Sequence, residues 1–407
     1  MADTPPSRLN AAAARWAAGR DAGGQHAQAQ GGAHAHADAS AQAHDKPDAG
    51  AVHAEAPAPD LATADGVRAY LAGTAFASAG VEPLSGGTAN FVYRLQLRTP
   101  HAGHATLVLK HAKGYVKDYP GMAFDVGRQV SYEVAALQRV HAWLPRDAVV
   151  TVPAVFLFDE AAHVIIMEDI GAGTDLKTLL KSGNVSPAAA AQIGAAAGAF
   201  LGALHRWGTG NKEVCAAVAG NEQAKMLTAW AFYERMESTL VGPNAPPKLR
   251  DPPLDVSEED LVAVRRIAEE TARACLAVDD TFVMGDFWPG NLMVRLDAAG
   301  ALERIYVVDW ELAKAGLHGV ELGQFCAEMH LLRRCLPELC GVTASAALKA
   351  FLDAYKPDDE VARSAVVRWG AHMVVLGARV EWGDKALSRA VVLEGVRYVV
   401  DTVSLFD

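Results

Sequence analysis

Residues 284–291, MGDFWPGN, and the run VVDWE at 307–311 place three oxygen-bearing side chains, Asp286, Asn291 and Asp309, in a fixed order. A hydroxyl attacks a phosphoryl group well only when it is oriented and can shed its proton; one carboxylate on a rigid loop, Asp286, can do both. Asn291 offers a neutral oxygen suited to magnesium, a hard cation that prefers oxygen ligands. Asp309 ends the apolar run IYVV, where its carboxylate can face a cleft while the strand stays buried. Between them, LMVRLD, an Ala-Ala-Gly turn and ALERIYVV read as a hairpin, and a hairpin returns the chain to where it began. Asp309 can therefore stand beside Asn291 and share one metal near a base at Asp286. Gly, Pro and Asn also serve ordinary turns, so the motif needs support elsewhere in the chain.

That support lies upstream. Lys110 ends the alternating strand LVLK, and Glu133 sits on the helix that follows, VSYEVAALQRVHAWL. A lysine held by such a glutamate is ordered and can point at phosphates. Before it, LSGGTANFVYRL carries Ser85, Gly86 and Gly87 between two strands, a flexible link able to bring backbone N–H groups over phosphates. Alone, an SGG turn or a strand-end lysine is unremarkable. The order glycine turn, strand lysine, helix glutamate, apolar strand with hinge, D-x-x-x-x-N, hairpin, strand-end aspartate is the kinase arrangement.

The elements that must position these groups follow from the pattern. The chain has 407 residues, 51% of them hydrophobic, long enough for more than one unit with a sizeable core. Residues 1–60 are low complexity, with His26, His34, His36, His44 and His53 among alanine, glycine and glutamine; they read as a disordered tail. Residues 61–168 read as a small sheet-rich, nucleotide-binding lobe. A helix in DLATADGVRAYLAG precedes strands FVYRLQLR and ATLVLKHA, then one inserted helix, then strands AVFLFDE and HVIIMEDIG. A hinge falls near Met167–Gly171. Residues 169–407 read as a larger, mainly helical lobe: Ser186 and Pro187 open one helix, QAKMLTAWAFYERMEST and EEDLVAVRRIAEETARACL form two more, and everything beyond Gly316 is helical. The fold class expected is α+β, bilobal.

Several functions are disfavoured. A net charge of −11 without a lysine or arginine cluster argues against nucleic acid. PAAAAQIGAAAGAFLGAL, from Pro187 to Leu204, is built of alanine and glycine and reads as a buried helix, not a membrane span. Five scattered cysteines without a CxxC pair fit a reducing compartment, and with no Leu-rich leader the expected location is cytoplasmic. There is no G-x-x-x-x-G-K-[ST]; GAGTDL at 171–176 lacks the third glycine of a dinucleotide fingerprint; His318, Glu321 and His330 lack HExxH spacing.

MGDFWPGNLMV…VVDWE resembles the catalytic motif and metal aspartate of the aminoglycoside phosphotransferase and choline kinase superfamily, whose usual forms are HGDxxxxN and (I/V)DWE. LGALH at 201–205 resembles the helix ahead of that catalytic loop, and IIMEDI its hinge. The likeness covers roughly residues 75 to 330. It implies a protein-kinase-like fold, ATP or GTP with magnesium, and phosphorylation of a small molecule's hydroxyl. On that likeness Asp286 is the base, Asn291 and Asp309 hold the metal, Lys110 and Glu133 anchor phosphates, and the backbone around Met167, Glu168 and Ile170 takes the nucleotide base. The family's histidine two residues before the aspartate is Met284 here. Methionine packs but donates no strong hydrogen bond, which removes one brace from the loop and feeds the alternative of a pseudokinase that binds nucleotide or a partner with little turnover. Trp288, Glu311, Glu321 and Arg379 are the candidates to line the acceptor site, with Glu328 and the rest of GARVEWGD beside them. Carboxylates there favour an amine-bearing acceptor, Arg379 an anionic one.

Overall fold

The computed structural model describes residues 59–84, 89–123 and 125–402. The Ser85–Gly87 turn and nearly all of the expected tail lie outside them. Alternating apolar residues in the first half form β1 (Ser78–Pro83), β2 (Phe91–His101), β3 (His104–His111), β4 (Val155–Asp159) and β5 (Val164–Glu168). These make one antiparallel sheet in the order β1-β2-β3-β5-β4. Successive side chains of a strand point to opposite faces, and both faces of the central strands are covered. Leu107, Leu109, Val164 and Ile166 pack against Val67 and Leu71 of helix α1 (Ala64–Leu71). Val108, Ile165 and Met167 pack against Val126, Val130 and Val134 of α2 (Val126–Trp143). Lys110 thus stands on a central strand, opposite Val92 on one side and Ile165 on the other.

Past the hinge the chain is mainly helical. The main helices are α3 (Leu176–Lys181), α4 (Pro187–Gly208), α5 (Glu258–Ala277), α6 (His318–Cys335), α7 (Pro337–Tyr355), α8 (Asp359–Leu376) and α9 (Lys385–Val400). Ser186 caps α4 by accepting from Ala189 N at 3.1 Å. By length and composition α4 could cross a membrane; here its Ile193, Ala197, Leu201 and Leu204 are buried in the helical core. Its small residues let α7 approach closely: a Cβ on Gly194 would lie 2.1 Å from the Ala347 carbonyl oxygen, and one on Gly198 would lie 2.2 Å from that of Phe351.

Two details depart from the sequence pattern. QAKMLTAWAFYERMEST is not one α-helix but Glu222–Thr228, a π-helical turn Ala229–Glu234, and Met236–Leu240. A π turn adds a residue without breaking the run, so hydrophobic periodicity does not announce it. The second concerns the hairpin β6 (Leu292–Leu296) and β7 (Leu302–Val307), which forms as expected but is the middle of a four-stranded sheet. Val150–Thr151 runs parallel to β7, and Thr174–Asp175 runs antiparallel to β6. Segments on both sides of the hinge are thereby bonded to the hairpin that carries Asp309 at its end.

Candidate active site

The loop bearing Asp286 leaves a short strand, Phe282–Val283, paired with Lys314–Ala315. Gly285 has φ of +91°, and a Cβ there would meet the Leu312 carbonyl oxygen at 2.0 Å; only glycine fits. Met284 is fully buried, and Phe287 is buried in the core beside Phe325 and Phe351. The brace comes from behind. Met284 N and Gly285 N donate to the two oxygens of Glu321 at 3.2 and 2.6 Å. The same carboxylate meets His205 Nε2 at 2.8 Å, and His205 Nδ1 meets the Tyr355 hydroxyl at 2.7 Å. The His205 ring stacks on His318 at 4.1 Å; burial, with His205 beside it, pushes the His318 pKa down to about 3. A buried carboxylate satisfied this fully is a strong anchor.

Asp286 is held on both oxygens. Oδ1 accepts from Gln324 Nε2 at 2.6 Å, and Oδ2 accepts from Asn291 Nδ2 at 3.0 Å. Gln324 is itself oriented by Arg368 Nη2, which donates to its Oε1 at 2.7 Å. Burial, with the Glu311 and Asp309 charges adding to it, raises the Asp286 pKa to about 6 against the pull of those two amides. A carboxylate so placed is ionised at neutral pH yet basic enough to take a proton.

The amide nitrogen of Asn291 is committed to Asp286, donating also to its carbonyl at 3.0 Å. Its backbone oxygen accepts from Val308 N at 3.0 Å, which sets it next to the residue before Asp309. Asp309 takes the left-handed conformation, φ 63°, uncommon for a residue with a Cβ. Lys110 Nζ sits between three carboxylates: Glu133 at 2.8 Å, Asp309 at 2.9 Å and Glu311 at 2.9 Å. Burial would lower the Lys110 pKa, but Asp309, Glu133 and Glu311 together hold it well above the usual value. Burial raises Glu133 to about 7 despite Lys110.

A cleft of about 380 Å³ opens between the sheet and the hairpin, lined by Val92, Val108, Met167, Ile170, Met293 and Val308, with Lys110, Glu133 and Asp309 among its polar lining residues. At the hinge, Glu168 N donates to Ala154 O at 2.8 Å, and the Tyr306 hydroxyl donates to the Glu168 carboxylate at 3.0 Å. Arg94 clamps the hinge from β2, bonding both Asp169 oxygens at 2.8 and 3.1 Å and Gly171 O at 3.2 Å.

On the helical side, Lys177 of α3 places its Nζ 5.2 Å from the Trp288 ring centroid, 4.5 Å from that of Trp382, and 2.9 Å from Glu328 Oε2. The other Glu328 oxygen meets His372 Nε2 at 2.9 Å. Burial acts to raise Glu328, but His372 and then Lys177 hold it down to about 2.

The structure therefore lines one cleft with Lys110, Glu133 and Asp309, ties Asn291 to Asp286 and to the residue before Asp309, and redistributes the expected acceptor residues. Glu311 bonds Lys110 Nζ at 2.9 Å. Glu321 lies behind the loop, its carboxylate consumed by the brace. Arg379 donates to Thr239 Oγ1 and Val375 O at 2.9 and 2.7 Å, and Asp384 caps α9 at Leu387 N. Trp288 does face Lys177, and from GARVEWGD it is Trp382 that joins it. Gln324, Arg368, Lys177 and the Arg94–Asp169 clamp were not singled out by sequence. Gln324 had one available signal: it lies three residues after Glu321, on the same face of a helix.

Residues 80–363 match the profile of the phosphotransferase enzyme family. Among curated proteins, 4-hydroxytryptamine kinase of Psilocybe cyanescens is 31% identical over 83% of this chain and 92% of its own length. The protein of that name from Psilocybe cubensis is 29% identical over 80% of this chain and 89% of its own. Among solved structures, an ADP-bound aminoglycoside phosphotransferase aligns with a TM-score of 0.45 at 15% identity, over 84% of this chain and 99% of its own.

Proposed function

The chain belongs to the phosphotransferase enzyme family and is a small-molecule kinase; from that premise we propose that it transfers the γ-phosphoryl group of ATP to a hydroxyl of a small amine-bearing aromatic acceptor, with Asp286 as the base. The observation that carries this reading is the Asp286 carboxylate, held by Gln324 and Asn291 with its pKa raised to about 6. Such a group can accept a hydrogen bond from a hydroxyl, fix its direction, and take its proton as the oxygen attacks phosphorus. The 31% identity to a protein named 4-hydroxytryptamine kinase supports the acceptor class.

Lys110 would neutralise nucleotide phosphates, kept in place by Glu133 from α2. Asn291, Asp309 and Glu311 present oxygen donors only, and the carboxylates of Glu133, Asp309 and Glu311 lie within 4.8 Å of one another; that chemistry fits magnesium. Asn291 and Asp309 would hold the ion, which when bound offsets phosphate charge. Val92, Val108 and Met293 would cover the faces of the purine, and the hinge backbone at Glu168 and Ile170 would take its edge.

The test is ADP release from Mg-ATP with 4-hydroxytryptamine as acceptor, wild type beside Asp286→Asn, with the product checked for an O-phosphate by phosphorus NMR. Acceptor-dependent release that drops about 10²–10⁴-fold in the variant is expected. Release that ignores the acceptor, or survives in Asp286→Asn, overturns the reading.

A further inference from the structure

The environment of Lys177 is unusual for a lysine whose side chain is 21% exposed. Its ammonium lies between two indole rings and against a carboxylate that is 7% exposed. Two aromatic faces and one desolvated carboxylate are the components from which ammonium-binding sites are made. Glu328 is also held by His372 on its far oxygen. Trp382 is 7% exposed, and its indole N–H has no hydrogen-bond partner among the described residues.

The box is next to the base. Gln324, which holds Asp286, and Glu328, which holds Lys177, are four apart on α6, so they share a face about one turn, roughly 5–6 Å, apart. Trp288 lies two residues beyond Asp286, at most roughly 7 Å along the chain. A small molecule with its hydroxyl at Asp286 would reach the box with a cationic group one small ring away.

We propose that the box formed by Trp288, Trp382 and Glu328 is the subsite for the ammonium group of the acceptor, and that Lys177 is a tethered occupant which an aminated acceptor displaces. Lys177 sits on the short helix α3 at the end of a flexible four-carbon stem, with its side chain 21% exposed. While seated, it competes with weak cations and leaves the box neutral; an acceptor enters by exchanging one ammonium for another. The device selects for acceptors that carry an amine, because a neutral analogue gains nothing in return for expelling Lys177. This inference rests on the kinase reading for the position of the acceptor, but its test needs no turnover.

Tryptamine, an amine with no hydroxyl to phosphorylate, and indole, which has neither group, serve as probes in calorimetric titrations of the full chain without nucleotide. Lys177→Met is expected to bind tryptamine at least fivefold more tightly than wild type, Lys177→Arg to resemble wild type, and indole to be indifferent to both changes. Adding Glu328→Gln to Lys177→Met should abolish the gain, and Trp382→Leu alone should weaken tryptamine at least fivefold. Tryptamine binding that is unchanged, weaker or absent in Lys177→Met overturns the proposal, as does an equal gain for indole. A protein that shows the expected tryptamine pattern yet releases no ADP with any hydroxylated amine would sink the kinase reading and leave the box standing.

Discussion

Replacing Asp286 with asparagine should make the folded protein more stable while disabling it. The folded-state pKa of Asp286 is raised from 3.8 to about 6 by burial and by the neighbouring Glu311 and Asp309. About two pH units correspond to roughly 3 kcal/mol, the ceiling on what the ionised side chain costs the fold. The carboxylate partly faces the cleft, and asparagine forfeits the bond from Asn291 Nδ2 to Oδ2, worth about 1 kcal/mol. The expected net gain is about 1–2 kcal/mol, or about 1–3 °C in melting temperature for a chain of this size. Its sign depends on pH. Because the folded pKa lies above the unfolded one, the cost of the charge is present in full above about pH 7. It shrinks as pH falls through 6 and is gone only below the unfolded pKa of 3.8, where both states are protonated. Thermal melts of both proteins at pH 8, 6 and 4.5, without magnesium or nucleotide, should show a gain that fades down the series. A lower melting temperature at pH 8, or a gain that ignores pH, would refute the reasoning, because it would mean that Asp286 is comfortable as an anion and is not a poised base.

Two further outcomes follow from the same geometry. Lys110→Met leaves Glu133, Asp309 and Glu311 facing one another with no cation between them, and breaking a buried pair costs about 3–5 kcal/mol. With Glu133 already raised to about 7, it can escape by protonating, so urea melts should show a larger loss at pH 8.5 than at pH 6; an equal loss at both would contradict the assignment. Gly198→Ala should destabilise by about 1–3 kcal/mol or more, since its Cβ would fall 2.2 Å from the Phe351 carbonyl oxygen. Gly341→Ala, on α7 with nothing nearer than 3.6 Å, should stabilise by about 0.5–1 kcal/mol. The same sign for both in thermal melts would argue that the α4–α7 contact is looser than described.

The Met284 position shows how a motif can mislead about its own support. Read alone, the loss of the family's histidine suggests a loosened loop. In three dimensions the two backbone N–H groups at Met284 and Gly285 find both oxygens of Glu321, and His205 and Tyr355 complete the network. The brace is there, delivered from α4, α6 and α7 instead of from the loop.

What the sequence determined by itself was whatever depends on near neighbours in the chain. The period-2 runs specified the strands of the first half, Ser186 and Pro187 specified the start of α4, and the hairpin between Asn291 and Asp309 set those two side by side. The order of Lys110, Glu133, Asp286, Asn291 and Asp309 was legible because each sits at a characteristic point of its own element. Only the tertiary structure decided which distant groups meet. Glu311 goes to Lys110, Glu321 goes behind the loop, Arg94 closes on Asp169, and Trp382 arrives opposite Trp288 from a turn nearly a hundred residues further along. None of these has a local signal, because a carboxylate or an indole has the same propensity whichever way its element faces. Its role is settled by the packing of helices and sheet, where burying a charge without a partner costs more than any local preference can supply.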